Sequence, residues 1–70
     1  MNWVDWKSWR IQAGLTQLDV LAAMNLRGFK WTQPTLGKIE SGGRKATFNE
    51  GICLCAIYDV NIYEEMEKGN

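Results

Sequence analysis

The chain of 70 residues contains no histidine, one proline and two cysteines, and these shortages restrict its chemistry. Without histidine, histidine-dependent acid–base or nucleophilic catalysis is excluded. Cys53 and Cys55 stand two positions apart, so on a helix they point to different faces, and a zinc site needs four ligands. We therefore expect no enzyme, no metal and no cofactor, and both cysteines to be small buried hydrophobic residues.

Long apolar runs are also missing. No stretch of 18 apolar residues is present, so we expect no membrane span, and no apolar signal region follows the charged N-terminus. The scarcity of proline together with an ordinary apolar fraction favours an all-helical fold over disorder. A chain this short forms one domain, residues 1–70, with a single small core, and we expect it to be cytoplasmic.

The net charge is zero, but the charge is unevenly distributed along the chain. Residues 46–70 carry a net charge of −4, whereas residues 27–45 carry +4. Phosphate groups respond to local charge, so a basic segment in a neutral protein can still bind nucleic acid. A solvated surface without a partner remains the alternative. The basic segment holds one anion, Glu40, and five cations: Arg27, Lys30, Lys38, Arg44 and Lys45.

The N-terminal half of the chain predicts two helices. Tryptophan recurs every three residues at positions 3, 6 and 9, which indicates one side of a helix that runs to about Ala13. We expect Trp6 and Trp9 to be buried. Thr16 and Asp19 have the spacing of a capping box, which opens a second helix that runs to about residue 26.

Three further helices follow, to make about five. Thr32 is a favourable N-cap residue for a helix over residues 33–41, with Pro34 in the first turn, an apolar pair at 36 and 39, and Gly42 as the stop signal. Residues 47–68 contain two more capping-box patterns, which begin at Thr47 and at residue 61 and predict helix 4 and a C-terminal helix. Gly51 lies inside helix 4, where it costs about 1 kcal/mol relative to alanine, so we expect close packing there.

Three of these segments resemble a known family. The stretch Arg-Ile-Gln-Ala-Gly-Leu-Thr-Gln at residues 10–17, the stretch Trp-Thr-Gln-Pro-Thr-Leu-Gly-Lys-Ile-Glu-Ser-Gly at 31–42 and the helix after Thr47 are similar to the Cro/C1-type (XRE) helix-turn-helix domain. The resemblance covers about residues 6–66, and the connector over 24–31 is similar to a subgroup found in actinobacteria and their phages. It implies an all-α, compact bundle of about five short helices with a lambda-repressor-like fold and its helix-turn-helix at about 16–42.

The resemblance also implies a function. A short chain of this kind resembles a phage Cro protein or immunity repressor, a transcriptional regulator that reads the major groove of a double-stranded DNA operator with the helix at 33–41. We expect a homodimer on DNA, although a monomer is possible. Tyr58, Ile62, Tyr63 and Met66 are candidates for the dimer surface, or for ordinary core. The alternative function is a protein-interaction module, antitoxin-like or an adaptor, with the same fold.

Individual site residues follow from the resemblance, which implies that Gln17 binds a backbone phosphate and supports the base-reading side chain. Gln33 is expected to pair with adenine, Lys38 with guanine or a phosphate, and Pro34 with a thymine methyl group. Trp31 is expected to pack as a hydrophobic staple rather than to touch DNA. The base-reading residues are Gln33, Pro34, Thr35 and Lys38, with a phosphate as the alternative partner of Thr35. The phosphate-binding residues are Gln17, Thr32, Ser41, Arg44, Lys45, Lys30 and Arg27, with plain solvation as the alternative for Lys30 and Arg27. Arg10 and Glu40 form a structural ion pair.

Overall fold

A computed structural model of the chain describes residues 4–60, and the regular elements of this part are four α-helices. The all-helical class predicted from the sequence is therefore confirmed for these residues. The C-terminal helix predicted to begin at residue 61, and Trp3, lie outside the described range. No helix within residues 4–60 is long and apolar enough to cross a membrane. The helices are α1 (Trp6–Gln12), α2 (Gln17–Leu26), α3 (Gln33–Ser41) and α4 (Phe48–Tyr58).

Two capping boxes begin α2 and α4, as the sequence predicts. In α2 the Thr16 hydroxyl accepts a hydrogen bond from the Asp19 amide at 3.1 Å, and the Asp19 carboxylate accepts one from the Thr16 amide at 2.8 Å. Thr47 and Glu50 repeat this exchange at 3.2 and 2.9 Å. Each box satisfies two of the amide groups that have no partner in the first turn of a helix, so both helix starts are determined locally.

The start of α3 differs from the expectation. Thr32 occupies the N-cap position, but its side chain makes no capping hydrogen bond; its hydroxyl lies 3.2 Å from that of Thr35 instead. An N-cap side chain bonds the amide of the second or third helical residue, and the second one here is Pro34, which has none. The predicted end is confirmed, because Gly42 adopts a left-handed conformation with φ of 87°.

The core lies where α2 packs against α3 and α4, and α1 packs against α3. Tyr58 is only 4% exposed and belongs to this core, so of its two predicted locations the core is correct. The core residues with no exposed surface are Val20, Met24, Leu36 and Leu54.

Two predicted core residues are only partly buried. Trp9 is half-buried, with its ring at right angles to that of Trp6 and the centroids 5.4 Å apart. The buried residues of α1 are Trp6 and Arg10, one turn apart, so Arg10 takes the inward position that the tryptophan pattern had assigned to Trp9. Cys55 is buried, and burial raises its pKa, but Cys53 is partly exposed, because the two residues lie on different faces of α4.

Gly51 packs against Trp6, but more loosely than predicted, because an alanine would fit there. A β-carbon at this position would lie 3.6 Å from Cη2 of Trp6, an ordinary van der Waals contact. We therefore expect Gly51→Ala to raise the free energy of unfolding by about 0.5–1 kcal/mol, because alanine favours the helix without displacing the indole. Urea unfolding followed by circular dichroism measures this change. Gly42→Ala is the control and should lose about 1 kcal/mol, since alanine resists the left-handed conformation; a loss at Gly51 would show that the indole leaves no room for a β-carbon.

Candidate nucleic-acid interface

Helix α3 buries one side and exposes the other. Leu36 and Ile39 point into the core, whereas Gln33, Pro34 and Lys38 are exposed. The predicted base-reading residues therefore lie on the outer side of the helix, except for Thr35, which is half-buried. An exposed first turn that a partner can reach is the arrangement that helix-turn-helix proteins use in the major groove.

Behind this surface lies the buried ion pair that the resemblance implies. Nε of Arg10 donates to Oε2 of Glu40 at 2.6 Å, and a terminal nitrogen of Arg10 donates to Oε1 at 3.3 Å. The two side chains are only 11% and 5% exposed. Arg10 also donates to the carbonyl of Leu15, between α1 and α2, at 3.0 Å. The hydrogen bond with Glu40 raises the pKa of Arg10, so the guanidinium stays charged, and the pair joins α1 to the end of α3.

Two glutamines extend this pair to the surface. Nε2 of Gln17, the first residue of α2, donates to Oε1 of Glu40 at 3.0 Å. Nε2 of Gln33, the first residue of α3, donates to Oε1 of Gln17 at 3.1 Å. We call the four residues Arg10, Glu40, Gln17 and Gln33 the polar chain. It runs from the buried guanidinium to an exposed amide and holds the first turns of α2 and α3 together.

The polar chain lines an open cleft between the starts of α2 and α3. Lys7 and Gly37 also line it, and the sequence interpretation missed both residues. Lys7 is exposed one turn before Arg10 on α1. A β-carbon at Gly37 would have no neighbour within 4 Å, so nothing in the described residues requires glycine there. Of the predicted phosphate-binding residues, Gln17 and Ser41 line this cleft.

The chain on either side of α3 is attached to α4 by one buried carboxylate. Glu50 accepts hydrogen bonds from both terminal nitrogens of Arg44, at 3.0 and 2.9 Å, and from the indole nitrogen of Trp31 at 3.0 Å. The bond from Arg44, followed by those from Thr47 and Trp31, lowers the pKa of Glu50 to about 2 despite its burial. Trp31 is buried in the core, as its expected packing role requires.

The remaining predicted cations lie outside the cleft. Arg27 donates to the carbonyl of Ala23 at 3.1 Å, near the end of α2, and is exposed. Lys30 and Lys45 are exposed as well, on the chain segments that precede and follow α3. Arg44 is partly exposed, but its pairing with Glu50 gives it a structural role that the sequence interpretation missed. The capping box at Thr47 predicted Glu50 as a cap, and no signal in the sequence linked it to Trp31.

Comparisons with known protein families, with curated proteins and with solved structures find no match for this chain. The interface is therefore interpreted from its own geometry and from the motif resemblance. Within residues 4–60, no group of three histidine, cysteine, aspartate or glutamate side chains is arranged to hold a metal ion.

Proposed function

We propose that this protein binds double-stranded DNA in a sequence-specific manner, as a small transcriptional regulator with a lambda-repressor-like helix-turn-helix formed by α2 and α3. The observation that carries the proposal is the polar chain, which fixes an exposed glutamine at the start of α3. An amide held in this way offers one donor and one acceptor to a partner. Adenine presents the complementary pair, N7 and N6, in the major groove.

The surroundings of Gln33 support this function. Lys38 stands five residues further along α3 and is exposed, and Gly37, one turn after Gln33, leaves the cleft side of the helix without a side chain there. A glycine inside a helix costs about 1 kcal/mol relative to alanine, and no packing in the described residues offsets that cost. Close approach of a partner backbone to α3 would account for it. Lys30 and Lys45 stand on either side to contact phosphates.

The proposal predicts that Gln33→Ala relaxes base preference at one position of the bound site. Bound duplexes are first selected from a library with a randomised centre, and affinities are then measured by fluorescence anisotropy. Loss of the bidentate pair should cost about 1–3 kcal/mol of discrimination at that position, while the fold survives because Gln33 is exposed. Unchanged affinity of the variant for selected and scrambled duplexes alike would remove Gln33 from the interface.

Lys45→Gln is the matched control for phosphate contacts. It should weaken binding to all duplexes about equally and reduce the slope of log affinity against log salt by about 1. This position is exposed and makes no side-chain hydrogen bond in the described part of the chain, so the fold should be unaffected. Arg44 is unsuitable for this purpose, since its replacement also breaks the pair with Glu50.

A protein-interaction module is the second candidate, and one observation favours it. Phe48 and Ile52 lie one turn apart on α4 and are 81% and 44% exposed. Exposed apolar side chains grouped on one helix are typical of contact surfaces between proteins. The salt titration separates the two functions, because DNA binding through phosphates must weaken as salt rises, whereas an apolar contact does not require this.

A further inference from the structure

The hydrogen bonds between Gln33, Gln17 and Glu40 all run in one direction, from donor to acceptor towards Glu40. Arg10 can only donate hydrogen bonds, and an ionised Glu40 can only accept them. The amides of Gln17 and Gln33 can do both, so their orientations depend on their neighbours. The carboxylate of Glu40 therefore decides which end of each amide faces the next residue.

Both hydrogen bonds that link Glu40 to Gln33 through Gln17 have the donor and acceptor that an ionised Glu40 requires. Glu40 accepts from the nitrogen of Gln17 at 3.0 Å, which turns the oxygen of Gln17 away from the ion pair. That oxygen accepts from the nitrogen of Gln33 at 3.1 Å. The outermost amide is thus left with one N–H group and its oxygen for a partner. Were the direction reversed, its oxygen would be occupied and both of its N–H groups would face outward.

These two states match different bases. One donor with one acceptor fits N7 and N6 of adenine, whereas two donors fit N7 and O6 of guanine. We propose that Glu40 is a specificity-determining positioning residue, which selects adenine over guanine by setting the direction of the Gln17 and Gln33 amides. This inference rests on the proposed DNA-binding function and assigns Glu40 a role beyond the structural pair with Arg10.

Two substitutions at position 17 test the direction while Arg10 and Glu40 themselves are kept, although the residue at position 17 contacts Glu40. Gln17→Lys provides a donor only, so it should reverse the amide of Gln33 and reduce the ratio of adenine to guanine affinity by about tenfold or more. Gln17→Glu provides an acceptor only and should keep the wild-type ratio, although stability and total affinity fall because its carboxylate lies beside that of Glu40 and near phosphates. The ratio is measured by competition between two duplexes that differ only at the base pair assigned to Gln33.

The outcomes separate this inference from the proposed function. If wild-type protein shows no base preference at any position, the proposed function fails. If the wild type prefers adenine and the Lys and Glu variants shift the ratio equally, or neither shifts it, the directional role of Glu40 is overturned. Glu40→Gln should also lower the ratio under conditions where circular dichroism shows it folded, and an unchanged ratio there would overturn the proposal. If it does not fold, the two variants at position 17 decide.

Discussion

Arg10→Leu is expected to remove most of the stability of this protein. The substitution leaves Glu40 charged and buried without its partner, a situation that costs about 3–5 kcal/mol. It also removes the donor to the carbonyl of Leu15, which joins α1 to the start of α2. Domains of this size have roughly 0.05–0.15 kcal/mol of stability per residue, so the loss is comparable to the total. Urea unfolding followed by circular dichroism measures the difference.

Lys7→Leu is the matched control for this experiment. It removes a cation from the same helix, one turn earlier, but from an exposed position without a salt bridge in the described structure. Its effect should stay within about 0.5 kcal/mol. The double variant Arg10→Leu with Glu40→Leu should recover part of the loss, because no buried charge then remains unpaired. Equal losses in the Arg10 and Lys7 variants would contradict the buried pair.

Glu50→Gln is expected to produce the second large effect, and to change the response to acid. The pKa of Glu50 is lowered from 4.5 to about 2 in the folded protein, chiefly by the hydrogen bond from Arg44. A carboxylate with a lowered pKa contributes stability above its unfolded pKa and loses it as the pH falls through the folded pKa. The contribution should therefore be complete above pH 4.5 and vanish towards pH 2, and it amounts to about 3 kcal/mol.

The measurement is the free energy of unfolding of both proteins at several pH values between 7 and 2. At pH 7 the Gln variant should be less stable by about 3 kcal/mol, and its curve should be flatter than the wild-type curve below pH 4.5. Asp19→Asn is the control, because it alters the exposed capping box of α2, which lacks an arginine and an indole. Parallel curves for wild type and Glu50→Gln would show that this carboxylate does not control the acid response.

The helix boundaries were predictable because they depend on near neighbours. Thr16 and Asp19 are three residues apart, as are Thr47 and Glu50, so this spacing in the sequence is enough to predict the capping hydrogen bonds. The start of α3 shows the limit of this reasoning. Thr32 is a favourable cap by residue type, yet Pro34 removes one of the two amides that it would bond.

The interior of the fold was predictable only in part. The tryptophan pattern identified one side of α1. It could not show which residue of α1 faces Glu40, because that depends on how α1 packs against α3, and the buried residue there is Arg10 rather than Trp9. For the candidate site, the resemblance supplied the ion pair and a Gln17 that supports the base-reading side chain, but not the hydrogen bond from Gln17 to Glu40. The connection of these residues into one directed polar chain depends on the packing of α2 against α3, which no sequence pattern states.

The two ion pairs differ in how far apart their residues lie in the chain, and this difference has a kinetic consequence. Glu50 and Arg44 are separated by six residues, whereas Arg10 and Glu40 are separated by 30. Closing the longer loop costs about 1.4 kcal/mol more chain entropy than closing the shorter one. We therefore expect the turn between α3 and α4 to form early in folding and α1 to dock through Arg10 later. Arg10 would then be the last residue to join the polar chain, whereas Glu40, Gln17 and Gln33 connect to one another without it, because they belong to α2 and α3.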